Sequence, residues 1–470
     1  MMFAAFETEK LYHQRQARYL TAMGNGTPDR IPIRFFLQEV AARMTGYTTQ
    51  QVACDYNLAF EATRRAGEML GCDSVMLNAI WSTYPVAKAA SWRYLYVPGV
   101  DVAMDSVLQF GEPAKPEDVF LQLDEYEEFI DDPTAFLVNK WMARAATRVA
   151  KAGAPVTFDH NAALWGGALA YANYMSAFGP AAAKLKYESG IMSANAGMIK
   201  APFDLLCDKF RGFINAAIDT VDRPDTVLKA CEALIPHIVA NALAGADPDK
   251  QVPITLWAHR GGVPFISHET FDRIMWPTLR PVFEEIISKG YQILFYGEGN
   301  WEAHYDTLRT LPAGSIIYHL DRGDPALAAK KLKDRFAISG GLSYDVLARG
   351  TQEDVRRHMK ELFAVLKPGG GYILDATALM LNDVKPDNLH AAIAYTLEHG
   401  VYSQSCPAPE RGKAQPQTIL PGKRAPGIVR PWEVEKQGYK QLAGDVDAVK
   451  NAWQRTDAAI YNYLWTTVLW

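Results

Sequence analysis

Residues 291–321, YQILFYGEGNWEAHYDTLRTLPAGSIIYHLD, hold two short apolar runs, one leading into Glu298 and the other into His319. Each run has strand length and is bounded by turn residues, and a helical pattern ends at Gly290, just before the first. The same unit recurs along the chain. Eight runs qualify as strands: RIPIRFFL, SVMLNAI, APVTFDHNA, VPITLWAHR, YQILFYGEG, SIIYHLD, FAISGGLS and GYILDAT. Strands alternating with helical segments predict an α/β fold, a (β/α)8 TIM barrel. The segment TQEDVRRHMKELFAVLKPGGG supports this, with a capping box from Thr351 to Asp354, apolar residues at helical spacing and a Pro-Gly stop.

Two regions depart from the repeat. About ninety residues separate the third and fourth runs, which predicts a long insertion after strand 3, either a lid over the active face or extra helical packing. After Gly400 the chain becomes proline-rich, with six prolines from Pro407 to Pro431, and ends in an aromatic amphipathic segment. The expected division is therefore a barrel over 1–400 and, over 401–470, an extended arm with a C-terminal helix. Trp453, Tyr461, Tyr463, Trp465 and Trp470 of that helix would dock on the barrel or on a second subunit, the latter making a homodimer.

The 470 residues are 49% hydrophobic and 21% charged, ordinary for a chain that buries a core, and the net charge of -5 offers no basic surface for nucleic acid. No apolar run reaches the ~18 residues of a membrane span, and the N-terminus lacks the apolar centre of a signal peptide. The expected location is cytoplasmic. Five scattered cysteines form no C-x-x-C pair, so neither a disulfide framework nor a cysteine zinc site is indicated.

In a parallel barrel, catalytic groups cluster at the carboxyl ends of the strands. The expected ends are Asp159 and His160, His259 with Arg260, Tyr296 with Glu298, His319 with Asp321, and Asp375. Side chains alternate along a strand, so Tyr296 and Glu298 share one face while His319 and Asp321 share another. Adjacent strands lie about 4.8 Å apart, so Glu298 and His319 could share a zinc ion or simply hydrogen-bond to each other. Trp257, Phe295, Trp301 and Tyr318 could wall an aromatic ligand or belong to the core. Gly340-Gly341 could cradle a phosphate or make room for a flat ligand.

The stretches FAISGGLSYDVLARGTQEDV and KPGGGYILDATALMLNDVKPDNLHAAIAYTLEHG resemble the uroporphyrinogen decarboxylase superfamily, as do GTPDRIPI and ISHETFDRIMWPTLRPVFEEIISKG. The resemblance covers roughly residues 18 to 401. RFFLQEVAARM has Arg34 but lacks the arginine-rich substrate loop of the decarboxylases, and Tyr296-Gly-Glu298 stands where the thiol-methylating branch has His-x-Cys. The branch resembled is that of the methyltransferases in corrinoid-dependent O-demethylase systems. That resemblance implies zinc held by two glutamates and a histidine, here Glu284, Glu298 and His319, with His259 as the physical alternative for one ligand. It also implies a small methoxylated substrate and a partner protein carrying a corrinoid. Tyr296, Asp321 and Asp375 would serve as proton donors, and Asp159, His160, His259 and Trp257 would contact substrate. Rival readings are a metal-free decarboxylase using Asp375 or Asp159, and a non-enzymatic corrinoid- or porphyrin-binding protein.

Overall fold

The structure is a computed structural model describing residues 2–77, 84–107, 109–111, 118–151, 153–416 and 422–469. Residues 78–80 of the second apolar run, Pro421 and Trp470 lie outside the described residues.

Eight parallel strands form the barrel: β1 (Arg34–Phe35), β2 (Ser74–Val75), β3 (Met192–Ser193 and Met198–Lys200), β4 (Ile254–Ala258), β5 (Ile293–Asn300), β6 (Ile316–Arg322), β7 (Ala337–Gly340) and β8 (Tyr372–Ile373). The first half of β3 pairs with β2 and the second half with β4. The ring closes where Arg34 N–H donates to the Leu374 carbonyl and Leu374 N–H to that of Pro32. A buried cluster of Phe36, Met76, Met192, Leu294 and Ile317 fills the inside. Tyr19, Ala22 and Met23 of the helix Met2–Met23 join it and plug the end at which the strands begin.

The expected third strand is corrected. APVTFDHNA leads into the helix Phe158–Ser189, whose first turn is closed by a capping box between Thr157 and His160. The apolar residues that suggested a strand are the entry to a helix, and β3 lies thirty residues later in IMSANAGMIK, an unobtrusive run because few of its residues pair on either side. The long insertion therefore precedes strand 3. It spans 76–191 and includes the antiparallel pair Leu95–Tyr96 and Gln109–Phe110, a group of short helices, and the long helix returning to β3.

Beyond Gly400 the arm runs past the strand-start end, where Thr27 N–H donates to the Cys406 carbonyl and Gly412 N–H to that of Ala313. The closing helix Val446–Leu469 buries Tyr461, Leu464, Trp465 and Val468. Trp465 stacks on His237 with ring centres 4.2 Å apart, and the Tyr461 hydroxyl lies 2.7 Å from His237 Nδ1. The helix Pro224–Ala244, which carries His237, is long and apolar enough to cross a membrane, yet its Val227, Cys231, Leu234 and Ile238 are buried in the fold.

Candidate functional site

Register sets two levels inside the barrel. Trp257, Tyr296, His319 and Ser339 are successive partners across β4 to β7. Their rings form a ladder, Trp257 on Tyr296 at 4.2 Å and Tyr296 on His319 at 3.9 Å, with Phe36 edge-on to both outer rings. Two residues further along each strand, the same alternation brings His259, Glu298 and Asp321 to the mouth.

His319 belongs to the lower level and is fully buried. Its Nδ1 lies 3.3 Å from the Arg34 guanidinium and 3.1 Å from Ser339 Oγ, and Nε2 lies 3.3 Å from the Thr377 carbonyl oxygen. Arg34 can only donate, so Nδ1 accepts and the proton sits on Nε2. Burial and then the Arg34 charge push this imidazole well below its ordinary pKa. Arg34 in turn donates twice to Asp375, at 3.0 and 2.7 Å, in a pair sealed from solvent. Burial raises the Asp375 carboxyl to about 6 against the Arg34 charge.

At the mouth, Glu298 accepts from Trp257 Nε1 at 2.6 Å and faces His259 Nδ1 at 2.8 Å. Burial alone would raise Glu298, but His259 and the hydrogen bond from Trp257 outweigh it and hold the carboxyl below its ordinary range. Burial opposes charge on His259 as well, yet Glu298 lifts its pKa, so the two stand as an ion pair. Asp204, fully buried, accepts the backbone N–H groups of His259 and Arg260 and fixes the turn that carries them. Asp321 accepts the Gly299 N–H at 2.7 Å, and burial, with a smaller push from Glu298, raises its carboxyl to about 6. His259, Arg260, Glu298 and Asp321 open on a pocket of about 600 Å³ lined also by Trp257, Lys200, Lys209 and Leu469.

The expected metal ligands are not brought together. Glu284 lies on the outer helix Trp276–Ser288 and pairs with Arg280 at 2.8 Å. A helix before β5 cannot turn that side chain into the mouth. His319 sits a level below Glu298, its two nitrogens engaged by Arg34, Ser339 and Thr377. Among the described residues no three His, Cys, Asp or Glu side chains form a metal-binding group. The donor set expected for zinc therefore does not fit, and the imidazole that meets Glu298 is His259.

Other expected residues also move. Asp159 and His160 begin the long helix, Asp159 exposed and His160 half-buried and engaged in the cap, so neither lines the pocket. Asp375 is enclosed with Arg34 beneath the ladder. Tyr296 donates to the Thr377 carbonyl at 3.2 Å, and burial drives its pKa well above the ordinary value, which makes it floor rather than acid. Gly340 serves packing, since a Cβ there would stand 2.6 Å from the Leu320 carbonyl oxygen and 3.1 Å from the His319 ring. Sequence reasoning missed Lys200, Asp204, Asp208 and Lys209. All four follow from recognising MIKAPFDLLCDKF as a strand end and the helix after it.

Residues 174–399 match the uroporphyrinogen decarboxylase (URO-D) family. The fold is similar to that of a methyltransferase from Methanosarcina mazei, with a TM-score of 0.53 and 15% identity over 82% of this chain and 98% of the other. No curated protein matches the sequence.

Proposed function

We propose, taking as premise the match of residues 174–399 to the uroporphyrinogen decarboxylase family, that this protein is a methyltransferase moving a methyl group from a methoxylated aromatic compound to the corrinoid of a partner protein. The observation that carries this reading is an aromatic floor and a proton-holding carboxyl in one pocket, Trp257 over Tyr296 and Asp321 beside them. The methyltransferase whose fold is similar supports the same class of reaction.

A substrate ring can lie against Trp257, whose indole is held in place by its hydrogen bond to Glu298. A phenolate is a poor leaving group until its oxygen is neutralised, and Asp321 holds a proton to about pH 6 for that purpose. The His259 and Glu298 charges cancel at the mouth, so this pair adds no net charge beside an apolar ring. About 600 Å³ suits a substrate of one or two rings, so the methyl acceptor must come to the rim, where Val263 and Phe265 expose apolar surface. The corrinoid, in its reduced Co(I) form, supplies the nucleophile that accepts the methyl group.

Zinc enters this reading only with ligands other than those expected, Glu298 with His259 in place of Glu298 with His319. Metal analysis of the purified protein decides: one zinc per chain, lost in Glu298→Gln, restores the metal reading. The function itself is tested by mixing the protein with a Co(I) corrinoid protein and a panel of methoxylated aromatics. Methylation of cobalt with release of the matching phenol, reduced in Asp321→Asn, is expected. Release of carbon dioxide from carboxylated compounds without cobalt methylation overturns it.

A further inference from the structure

We propose that Lys209 is a second reactive centre of this pocket, an amine that condenses with the carbonyl group of an aldehyde or ketone ligand to form an imine.

Lys209 sits on the π-helical turn Cys207–Arg211, a local widening of the helix that recurs at functional sites. Its neighbours in charge are all engaged with one another. Asp208 pairs with Lys200 at 2.7 Å and with Arg260 at 3.4 Å, and Arg211 pairs with Asp219 at 2.6 Å. Lys209 is 3% exposed and has no carboxylate partner among the described residues, although it lines the pocket. Its ammonium position instead faces aromatic rings, 4.0 Å from the centre of Tyr94 and 5.2 Å from that of Phe110. Trp141 Nε1 donates to the Lys209 carbonyl and anchors the backbone beneath it.

A buried amine with no counter-ion is costly as a cation, and the Lys200 cation nearby adds to that cost. Burial first, and Lys200 second, drive its pKa well below the ordinary lysine value, against a smaller opposing pull from the Asp208 carboxylate. The neutral amine that results is the nucleophilic form, which desolvation beside another cation is known to produce. In the condensation, the Nζ lone pair adds to the carbonyl carbon and the C=O π pair moves to oxygen. Both amine protons end on that oxygen, which leaves as water as C=N forms. No oxidant or reductant is consumed. The walls around the amine suit an aryl or alkyl carbonyl compound of pocket size.

The test is reductive trapping on the intact protein with benzaldehyde and sodium cyanoborohydride at pH 7, followed by peptide mapping. A lysine of ordinary pKa is neutral at pH 7 only about once in a few thousand molecules, so Lys209 should be labelled about a hundredfold faster than surface lysines. The rate should level off well below the pH at which surface lysines do. In Lys209→Gln, checked for folding by circular dichroism, the fast adduct should vanish while slow surface labelling persists. Equal labelling of Lys209 and surface lysines, or fast labelling that survives Lys209→Gln, overturns the proposal. Neither result depends on methyl transfer, so the two readings stand or fall separately.

Discussion

At Asp321 the sign of the pH effect follows from burial. A proton donor works only while protonated, and this carboxyl is half-protonated near pH 6. The turnover rate should therefore fall as pH rises through about 6, and Asp321→Asn should lower it by about 10²- to 10⁴-fold and flatten that limb, as read from a pH-rate profile. The same shift costs stability. The unfolded carboxyl titrates near 3.8, so between about 3.8 and 6 the folded chain holds the extra proton, and stability declines as pH rises across that window. Asp375 offers a different residue-scale prediction. Removing its charge in Asp375→Asn leaves the fully buried Arg34 without its counter-ion, for an expected loss of about 3–5 kcal/mol in denaturant unfolding. A loss well under 1 kcal/mol would show that the pair is not sealed.

At the scale of elements, seven strands announced themselves by apolar runs, because a parallel barrel strand is buried on both faces. The third did not. β3 is broken into two short pairings around Ala194 and Gly197, and its apolar content is carried by Met and Ile between small residues. Thr157, the cap residue, has a β-branched side chain that suits a strand and a hydroxyl that caps a helix, so the residues around it carry both signals. That single displacement hid Lys200 and Lys209. The spacing of Glu298 and His319 was legible, but the level at which each faces was not, because level depends on register between strands. Register also explains Gly340, whose φ of 87° and close approach to His319 admit no Cβ. Gly340→Ala should cost about 1–3 kcal/mol and disturb the Tyr296–His319 stack, which thermal unfolding and the tyrosine fluorescence can report.

Over the whole molecule, the prolines and aromatics of the last seventy residues read as an addition to a finished barrel, and the contacts argue for an integral part of it. Trp465 fills a space between His237 and Thr134, and its Nε1 donates to Thr134 Oγ1 at 3.1 Å. Tyr94, whose ring faces Lys209, donates its hydroxyl to the Thr467 carbonyl, and Leu469 lines the pocket. The insertion before β3 and the C-terminal helix therefore hold each other and together build the wall opposite β4 and β5. Deleting residues 446–470 should expose this apolar seam, lower the unfolding temperature and weaken binding of aromatic ligands. Trp465→Ala isolates the packing contribution, with an expected cost of about 3–5 kcal/mol. If the truncated chain keeps its unfolding temperature and its ligand affinity, the barrel over 1–400 is self-sufficient and the wall is an appendage. If Trp465→Ala alone reproduces the loss of stability while binding survives, the helix stabilises the barrel without shaping the pocket.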